Sequence, residues 1–488
     1  MTGLPDLLAA RAEATPDATA LVFVGDGATW TYGDLDRAAD DVARGLAGHG
    51  VGPGDRVAVL AENRPAYAHL VFAVQRLGAV LVPLNARLAG PQLARQLSRV
   101  DPALVVCEGE TTADARAAAA DAPVASVDGG SPPALDDAGA PVEPATWSLD
   151  DDAVLAFTSG TTGDPKAVRL TAGNLLASAV ASAVRLGVEA DDRWLCPLSL
   201  YHVGGLSVLL RSTLYGTTTL LQRGFDAGAT RSALEEHDAT CVSLVPTMLR
   251  RLLDDGPLPD LRFVLLGGAP VPEALLERCA ARDVPACPTY GLTETASQVA
   301  TARPAEARAD PGTVGRPLFG TRVTVLDADG DPAPTGDVGE LAVAGPTVSP
   351  GYLDAEAPVG PHGLRTGDLG RRDDAGRLWL HGRVDDAVST GGETVVPETV
   401  AAALRSHPGV RDAAVVGLAD PEWGERVAAL VVPADARPDP DGLREHCADR
   451  LADFEVPKTL ALADSLPRTP SGTVDREAVR ERLRDAGG

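Results

Sequence analysis

Lysine is almost missing from this chain. Only Lys166 and Lys458 occur, and the other 41 basic residues are arginine. Positive charge is scarce altogether: 43 Lys+Arg stand against 69 Asp+Glu, a formal net charge of −26. A surface of that sign weighs against nucleic acid as a partner, because such binding rests on neutralising phosphates. It weighs against an anionic lipid surface for the same reason. No apolar run reaches the roughly 18 residues that a membrane helix needs, so no membrane span is expected. The start, MTGLPDLLAARAEATPDA, lacks a basic n-region and an apolar h-region, so no signal peptide is read there and a cytoplasmic location is expected. The six cysteines (Cys107, Cys196, Cys241, Cys279, Cys287, Cys447) are scattered without a CxxC pair. They read as reduced structural thiols, not zinc ligands or a disulfide framework. No Walker A spacing is present, and no GxGxxG follows a strand with a suitable acid downstream, which argues against a Rossmann dehydrogenase.

Acid excess with almost no lysine reads as adaptation to a high-salt cytoplasm, where screening weakens self-repulsion. A GC-rich genome would account for arginine in place of lysine, but not for the surplus of carboxylates.

What is there is an ordinary globular composition: 488 residues, 44% hydrophobic and 23% charged. Thr31-Tyr32-Gly33-Asp34 opens a helical pattern to about residue 48. Arg56–Leu60 reads as a buried strand, a helix follows over roughly 64–77, and Ala79–Leu84 is the next strand. Residues 108–150, with few large hydrophobes, read mostly as a surface excursion. The alternation resumes at Ala153–Phe157 and runs to about 380. Beyond 385, a helix at about 397–405, strands at 413–417 and 427–432 and a helix at about 441–452 make a smaller module. The expected fold is therefore α/β: a large N-terminal domain (1–383) of parallel or mixed sheets with packed helices, and a small α+β C-terminal domain (384–488) on a short hinge.

Thr158-Ser159-Gly160-Thr161-Thr162-Gly163-Asp164-Pro165-Lys166 follows a hydrophobic strand. Glycines let backbone N–H groups close around an anion, hydroxyls add donors, and Lys166 adds a point charge. The segment suits phosphates, although composition alone is equally compatible with a polar turn between strands.

This segment resembles the phosphate loop of the adenylate-forming superfamily, which includes acyl-CoA synthetases. Tyr290-Gly291-Leu292-Thr293-Glu294-Thr295, Thr366-Gly367-Asp368, Gly382-Arg383-Val384-Asp385-Asp386, Gly391-Gly392-Glu393 and Pro470–Arg476 are similar to its further motifs, in the same order over nearly the whole chain. The resemblance implies ATP, Mg²⁺ and coenzyme A as co-substrates and cofactors. It implies that Thr158, Ser159, Gly160, Thr161, Thr162, Gly163 and Lys166 meet the phosphates, with Thr293 beside them. Tyr290 and Gly291 would pack at adenine, with Gly268 and Ala269 of the Gly267-Gly268-Ala269-Pro270 loop. Asp368 would hold the ribose with Arg383 nearby, and Glu294 would be the hard oxygen ligand of Mg²⁺. Asp385 would be the hinge, with Gly391 and Gly392 at the pantetheine channel. Taken singly, Tyr290 reads as core and Asp368 as a turn residue.

Tyr201-His202-Val203-Gly204-Gly205-Leu206-Ser207, with Arg211 further along, and Thr289-Tyr290-Gly291-Leu292-Thr293-Glu294-Thr295-Ala296-Ser297-Gln298 resemble the o-succinylbenzoate–CoA ligases of menaquinone biosynthesis. That implies an acyl pocket with His202, Gly205, Arg211, Gly268, Ser297 and Gln298, and a catalytic set of Lys166, Thr293, Glu294 and His202. The alternative for Arg211 is a charge on a helix surface. Alternative activities are ligation of another aromatic or fatty acid, loading of a carrier protein, or a non-catalytic adenylate sensor. The last is motivated by Thr473, which stands where the superfamily has a lysine; Arg468, Arg476 and Lys458 are candidate replacements. The small-molecule acid, ATP and CoA are the expected partners of a monomer or homodimer.

Overall fold

The computed structural model describes residues 3–129, 134–135, 141–158, 165–390, 393–434, 437–468 and 474–486. The chain divides into two compact units. One comprises residues 1–323 with 343–364, and the other 324–342 with 365–488.

The first unit holds two sheets. In one, strands Ala286–Leu292, Phe263–Leu266, Cys241–Leu244, Arg193–Cys196, Thr218–Leu221 and Thr19–Phe23 lie side by side and parallel. Ser297–Thr301 turns back antiparallel on Ala286–Leu292. The other is seven-stranded: Gly351–Tyr352, Lys166–Thr171, Asp152–Thr158, Val80–Pro83, Arg56–Leu60, Leu104–Cys107 and Val124–Ser126. Its four-residue strands are buried along their whole length, as parallel strands covered on both faces are.

Local chemistry sets the element ends. Helix Tyr32–Gly48 starts at a reciprocal cap: the Asp34 backbone N–H donates to Thr31 Oγ1, and Asp34 Oδ2 accepts from the Thr31 backbone. Pro65 opens helix Pro65–Arg76 where its missing N–H costs nothing. Two elements bolt down helix Val203–Tyr215 at its C-terminal end. Arg11 donates to the Thr213 and Leu214 carbonyls (3.1 and 2.6 Å), and Tyr32 Oη lies 2.9 and 2.6 Å from the Ser212 and Thr217 carbonyls. These bonds satisfy carbonyls that a helix leaves open at its end.

Residues 108–150 differ in part from expectation. They include a helix, Thr112–Ala118, and an edge strand, Val124–Ser126, paired with Leu104–Cys107. Ala115, Ala118 and Ala125 are buried there. Small side chains pack a helix close against the sheet edge without the large hydrophobes that mark a core element in sequence.

In the second unit, strands Glu393–Val395, Val388–Thr390, Gly424–Pro433 and Val410–Asp420 form a sheet in that order, and Thr459–Leu462 joins Gly424–Pro433 in parallel. Helices Pro397–Arg405 and Pro440–Ala448 cover one face, with Val400, Leu404, Leu443 and Cys447 buried. Helix Arg476–Ala486 covers the other through Val479 and Leu483. Among the described residues no helix is long and apolar enough to cross a membrane.

Candidate active site

The strand Asp152–Thr158 and its antiparallel neighbour Lys166–Thr171 place Thr158 opposite Lys166. Ser159, Gly160, Thr161, Thr162 and Gly163, read as the phosphate loop, lie outside the described residues. Lys166 is exposed, and its Nζ stands 5.1 Å from the centre of the Tyr352 ring. Tyr352 Oη donates to Glu294 Oε1 at 3.0 Å. Lys166 and Glu294, 128 positions apart in the chain, thus meet on one aromatic side chain.

Glu294 sits in the short turn Thr293–Thr295, closed by the Leu292 N–H on Thr295 Oγ1 (3.1 Å). The next two residues, Ala296 and Ser297, have φ of 50° and 104°. Two consecutive side-chain-bearing residues in that region mark a turn held against its preference. Gly291 is obligatory: a Cβ there would lie 1.6 Å from the Ser297 carbonyl oxygen. Tyr290 beside it is buried. Gly267 also allows a close approach, since its Cβ would fall 2.6 Å from Thr289 Cγ2. Gly268, at φ 76°, and Ala269 follow on the open end of strand Phe263–Leu266.

His202 is the N-cap residue of helix Val203–Tyr215. Its ring meets Tyr201 edge-on at 4.7 Å. The imidazole reaches solvent, yet desolvation by the protein packed around it, with the Arg87 cation second, lowers its pKa. Asn63 fixes the loop that carries His202. This buried side chain donates to the Leu198 and Gln222 carbonyls (2.8 and 2.9 Å) and accepts from the Leu200 N–H (2.8 Å). Gly205 completes the turn, because a Cβ would sit 2.4 Å from the Ser199 carbonyl oxygen.

Arg211 lies on the same helix but is only 2% exposed. The helix-surface alternative is therefore overturned. Its Nη2 donates to Ser178 Oγ at 3.0 Å, and Ser178 donates in turn to the Ala296 carbonyl at 2.6 Å. The buried Nε has no partner, and among the described residues no carboxylate pairs with the guanidinium. Burial lowers its pKa. Helical rise separates His202 and Arg211 by about 13 Å along the axis. Ser297 follows Ala296 directly. Gln298 is buried, donates to Thr301 Oγ1 (2.8 Å), and leaves Oε1 without a partner.

In the second unit, Asp368 pairs in register with Arg383, and the guanidinium donates to Asp368 Oδ1 at 2.8 Å. Gly367, at φ 70°, leaves room for that guanidinium, since a Cβ would lie 2.8 Å from Nη2. Asp385 is exposed in the short turn Val384–Asp386. Gly391, Gly392 and Thr473 lie outside the described residues. The cations considered as stand-ins at Thr473 are engaged: Arg468 with Asp412 (2.9 Å), Arg476 with Asp386 (2.6 Å), and Lys458 over the Trp423 ring at 3.6 Å.

Sequence reasoning missed Tyr352, Ser178 and Asn63. None stands in a motif with its own chemistry, and each acts through a partner distant in sequence.

The AMP-binding enzyme family profile matches residues 8–353, and that of the AMP-binding enzyme C-terminal domain matches 399–473. The chain belongs to the AMP-binding enzyme family. It is 37% identical over 490 residues to the 2-succinylbenzoate–CoA ligase of Bacillus velezensis, covering 99% of this chain and 98% of that one. Among solved structures it resembles the o-succinylbenzoate CoA synthetase of Bacillus subtilis in complex with the acyl-adenylate intermediate, with a TM-score of 0.91 at 33% identity over 98% of this chain and 99% of that one. The same Bacillus subtilis enzyme with ATP and magnesium ion matches with a TM-score of 0.90 at 34% identity, over 99% and 100%.

Proposed function

We propose that the chain is an AMP-forming acid–CoA ligase acting on o-succinylbenzoate in menaquinone biosynthesis. Its likeness to 2-succinylbenzoate–CoA ligases over essentially the whole of both chains supports this. Two displacements make up the reaction. A carboxylate oxygen of the acid attacks the α-phosphorus of ATP, and pyrophosphate leaves. The CoA thiol then gives up its proton and attacks the acyl carbonyl, and AMP leaves with the electron pair.

A carboxylate is already a nucleophile, so the protein's task is to hold ATP in line and neutralise departing charge. Lys166, Thr158 and the hydroxyls of 159–162 take the phosphates, with Thr293 beside them. Tyr290, Gly291, Gly268 and Ala269 border the adenine, and Asp368 with Arg383 holds the ribose. Mg²⁺ when bound spreads the charge of the phosphates. Glu294 fits it: one carboxylate oxygen is taken by Tyr352, which leaves Oε2 to a cation. Among the described residues no three His, Cys, Asp or Glu gather into a ready-made cage. A single carboxylate suits a Mg²⁺ that arrives on nucleotide phosphates and keeps its waters.

Arg211 is the observation that carries the choice of acid. A buried guanidinium without a counter-ion is costly, and the second carboxylate of o-succinylbenzoate would offset that cost with a charge-assisted hydrogen bond. His202, Gly205, Gly268, Ser297 and Gln298 line the rest of the acid. The family resemblance assigns Asp385 to the hinge and Gly391 and Gly392 to the thioester step. Six free, buried cysteines suit a reducing cytoplasm, and the acidic surface suits high salt.

AMP release, measured with ATP and CoA over a panel of acids, tests the reading. o-Succinylbenzoate should be strongly preferred. Equal rates with benzoate or a fatty acid would defeat the choice of acid, and no acid-dependent ATP–pyrophosphate exchange with any of them would favour the sensor.

A further inference from the structure

The segment Ser349–Leu353 runs as a strap between two parts of the site. The Ser349 N–H donates to the Glu294 carbonyl at 2.8 Å, and Ser349 Oγ donates to the Arg169 carbonyl at 2.6 Å. Gly351 and Tyr352 pair antiparallel with Arg169 and Val168 on the lysine-bearing strand, and the Leu353 N–H donates to the Ala167 carbonyl at 2.8 Å. Asn174 anchors the approach by donating to the Pro346 and Val348 carbonyls, both at 2.9 Å. Gly351, at φ 142°, permits the turn that brings Tyr352 into place. The strap is thus tied to the strand of Lys166 and to the backbone of Glu294, and its Tyr352 side chain contacts both residues.

We propose that Tyr352 is a positioning residue for adenylate formation. Its hydroxyl occupies Oε1 of Glu294 and so presents the other oxygen to the cation on ATP. Its ring carries Lys166 as a cation on the π face, with the ammonium donors still available for phosphate. Among the described residues Lys166 and Glu294 form no ion pair with each other. Each instead contacts Tyr352, Lys166 at the ring and Glu294 at the hydroxyl. This inference rests on the reading of Lys166 and Glu294 as phosphate and metal residues.

Tyr352→Phe keeps the ring and removes the hydroxyl, whereas Tyr352→Leu removes both. ATP affinity is to be measured calorimetrically without acid or CoA, with and without Mg²⁺, alongside thermal melting. Glu294→Gln is the control. Tyr352→Phe should weaken binding of ATP with Mg²⁺ about tenfold, the scale of a lost hydrogen bond to a charged group. It should leave metal-free ATP binding and the melting midpoint close to wild type, and raise the Mg²⁺ concentration for half-maximal ATP–pyrophosphate exchange by the same factor. Tyr352→Leu should weaken metal-free ATP binding as well. If Tyr352→Phe keeps the full gain from Mg²⁺ while Glu294→Gln loses it, the proposal is overturned. If Glu294→Gln also keeps the gain, the reading of Glu294 as cation ligand fails and the proposal falls with it.

Discussion

Arg211 and Ser178 face each other inside the first unit, the guanidinium donating to the hydroxyl at 3.0 Å. Ser178 gives its own proton to the Ala296 carbonyl, so it offers Arg211 a lone pair but no charge. Under the proposed function the second carboxylate of the acid meets this arginine, because a fully desolvated cation without a counter-ion is otherwise unfavourable. Arg211→Ala should raise KM for o-succinylbenzoate by one to two orders of magnitude, on the order of 1.5–3 kcal/mol, and leave KM for ATP nearly unchanged. Arg211→Lys should restore little, since an ammonium cannot span Ser178 and a carboxylate as the planar fork does. Steady-state kinetics with each substrate varied in turn decides it: parallel rises in both KM values would show a structural role instead.

The contrast between Arg211 and Tyr352 shows what the sequence makes legible. Hydrophobic strands bounded by turn residues are local signals, and Arg56–Leu60 forms over the residues read from the sequence. Proline at a helix start is local too, and helix Pro397–Arg405 begins on it. Lys166 was legible as one of only two lysines, and Glu294 and Arg211 through the resemblance of the motifs around them. Their supports were not. Tyr352 reaches Glu294 across 58 positions, and Asn63 reaches Leu198 across 135. A tyrosine after Pro-Gly and an asparagine before Arg-Pro look like turn residues. Only the fold shows which oxygen and which carbonyl they hold.

Asn63 makes three hydrogen bonds to the loops after two neighbouring strands, and the loop at Leu198–Leu200 leads directly into His202. Asn63→Ala should cost about 2–4 kcal/mol of stability, since it strands buried backbone groups. It should also raise KM for the acid through His202. A double-mutant cycle with His202→Ala separates the two effects. Coupling in KM for the acid of at least about 0.5 kcal/mol is expected, whereas additivity would reduce Asn63 to a structural tie.

His69 gives the fold a pH dependence of predictable sign. Its ring lies edge-on to Trp30 at 5.7 Å, its Nε2 is buried without a partner, and burial lowers its pKa to about 4. The unfolded chain binds a proton at His69 near pH 6.5, but the native state resists it until about pH 4. Stability is therefore complete above pH 6.5 and is lost as pH falls towards 4, at up to about 1.4 kcal/mol per pH unit. Urea unfolding at pH 7.0 and 5.0 should show the native protein losing about 1–2 kcal/mol more than His69→Leu over that interval. Identical slopes in the two proteins would place His69 in water in the native state.

Salt should stabilise the enzyme, although two electrostatic effects oppose each other. Exposed pairs such as Arg37–Asp34, with side chains 72% and 43% exposed, weaken as ionic strength rises. Repulsion among the unpaired carboxylates weakens as well, and with 69 acidic groups against 43 Lys+Arg a large surplus stays unpaired however the arginines are arranged. The buried contact of Arg76 with Asp6, each 3% exposed, is little screened and holds at any salt. At about 1 M salt the Debye length is roughly 3 Å, shorter than the spacing of most surface carboxylates, so the repulsion that is removed outweighs the attraction that is lost. The melting midpoint should rise by about 5 °C or more between 0.1 and 2 M KCl, equivalent to about 2 kcal/mol for a domain of this class. Replacing a handful of exposed, unpaired aspartates with asparagine should flatten that rise. A midpoint that stays level or falls with KCl would mean that the acid surplus is spread too thinly to matter and that the chain is not adapted to high salt.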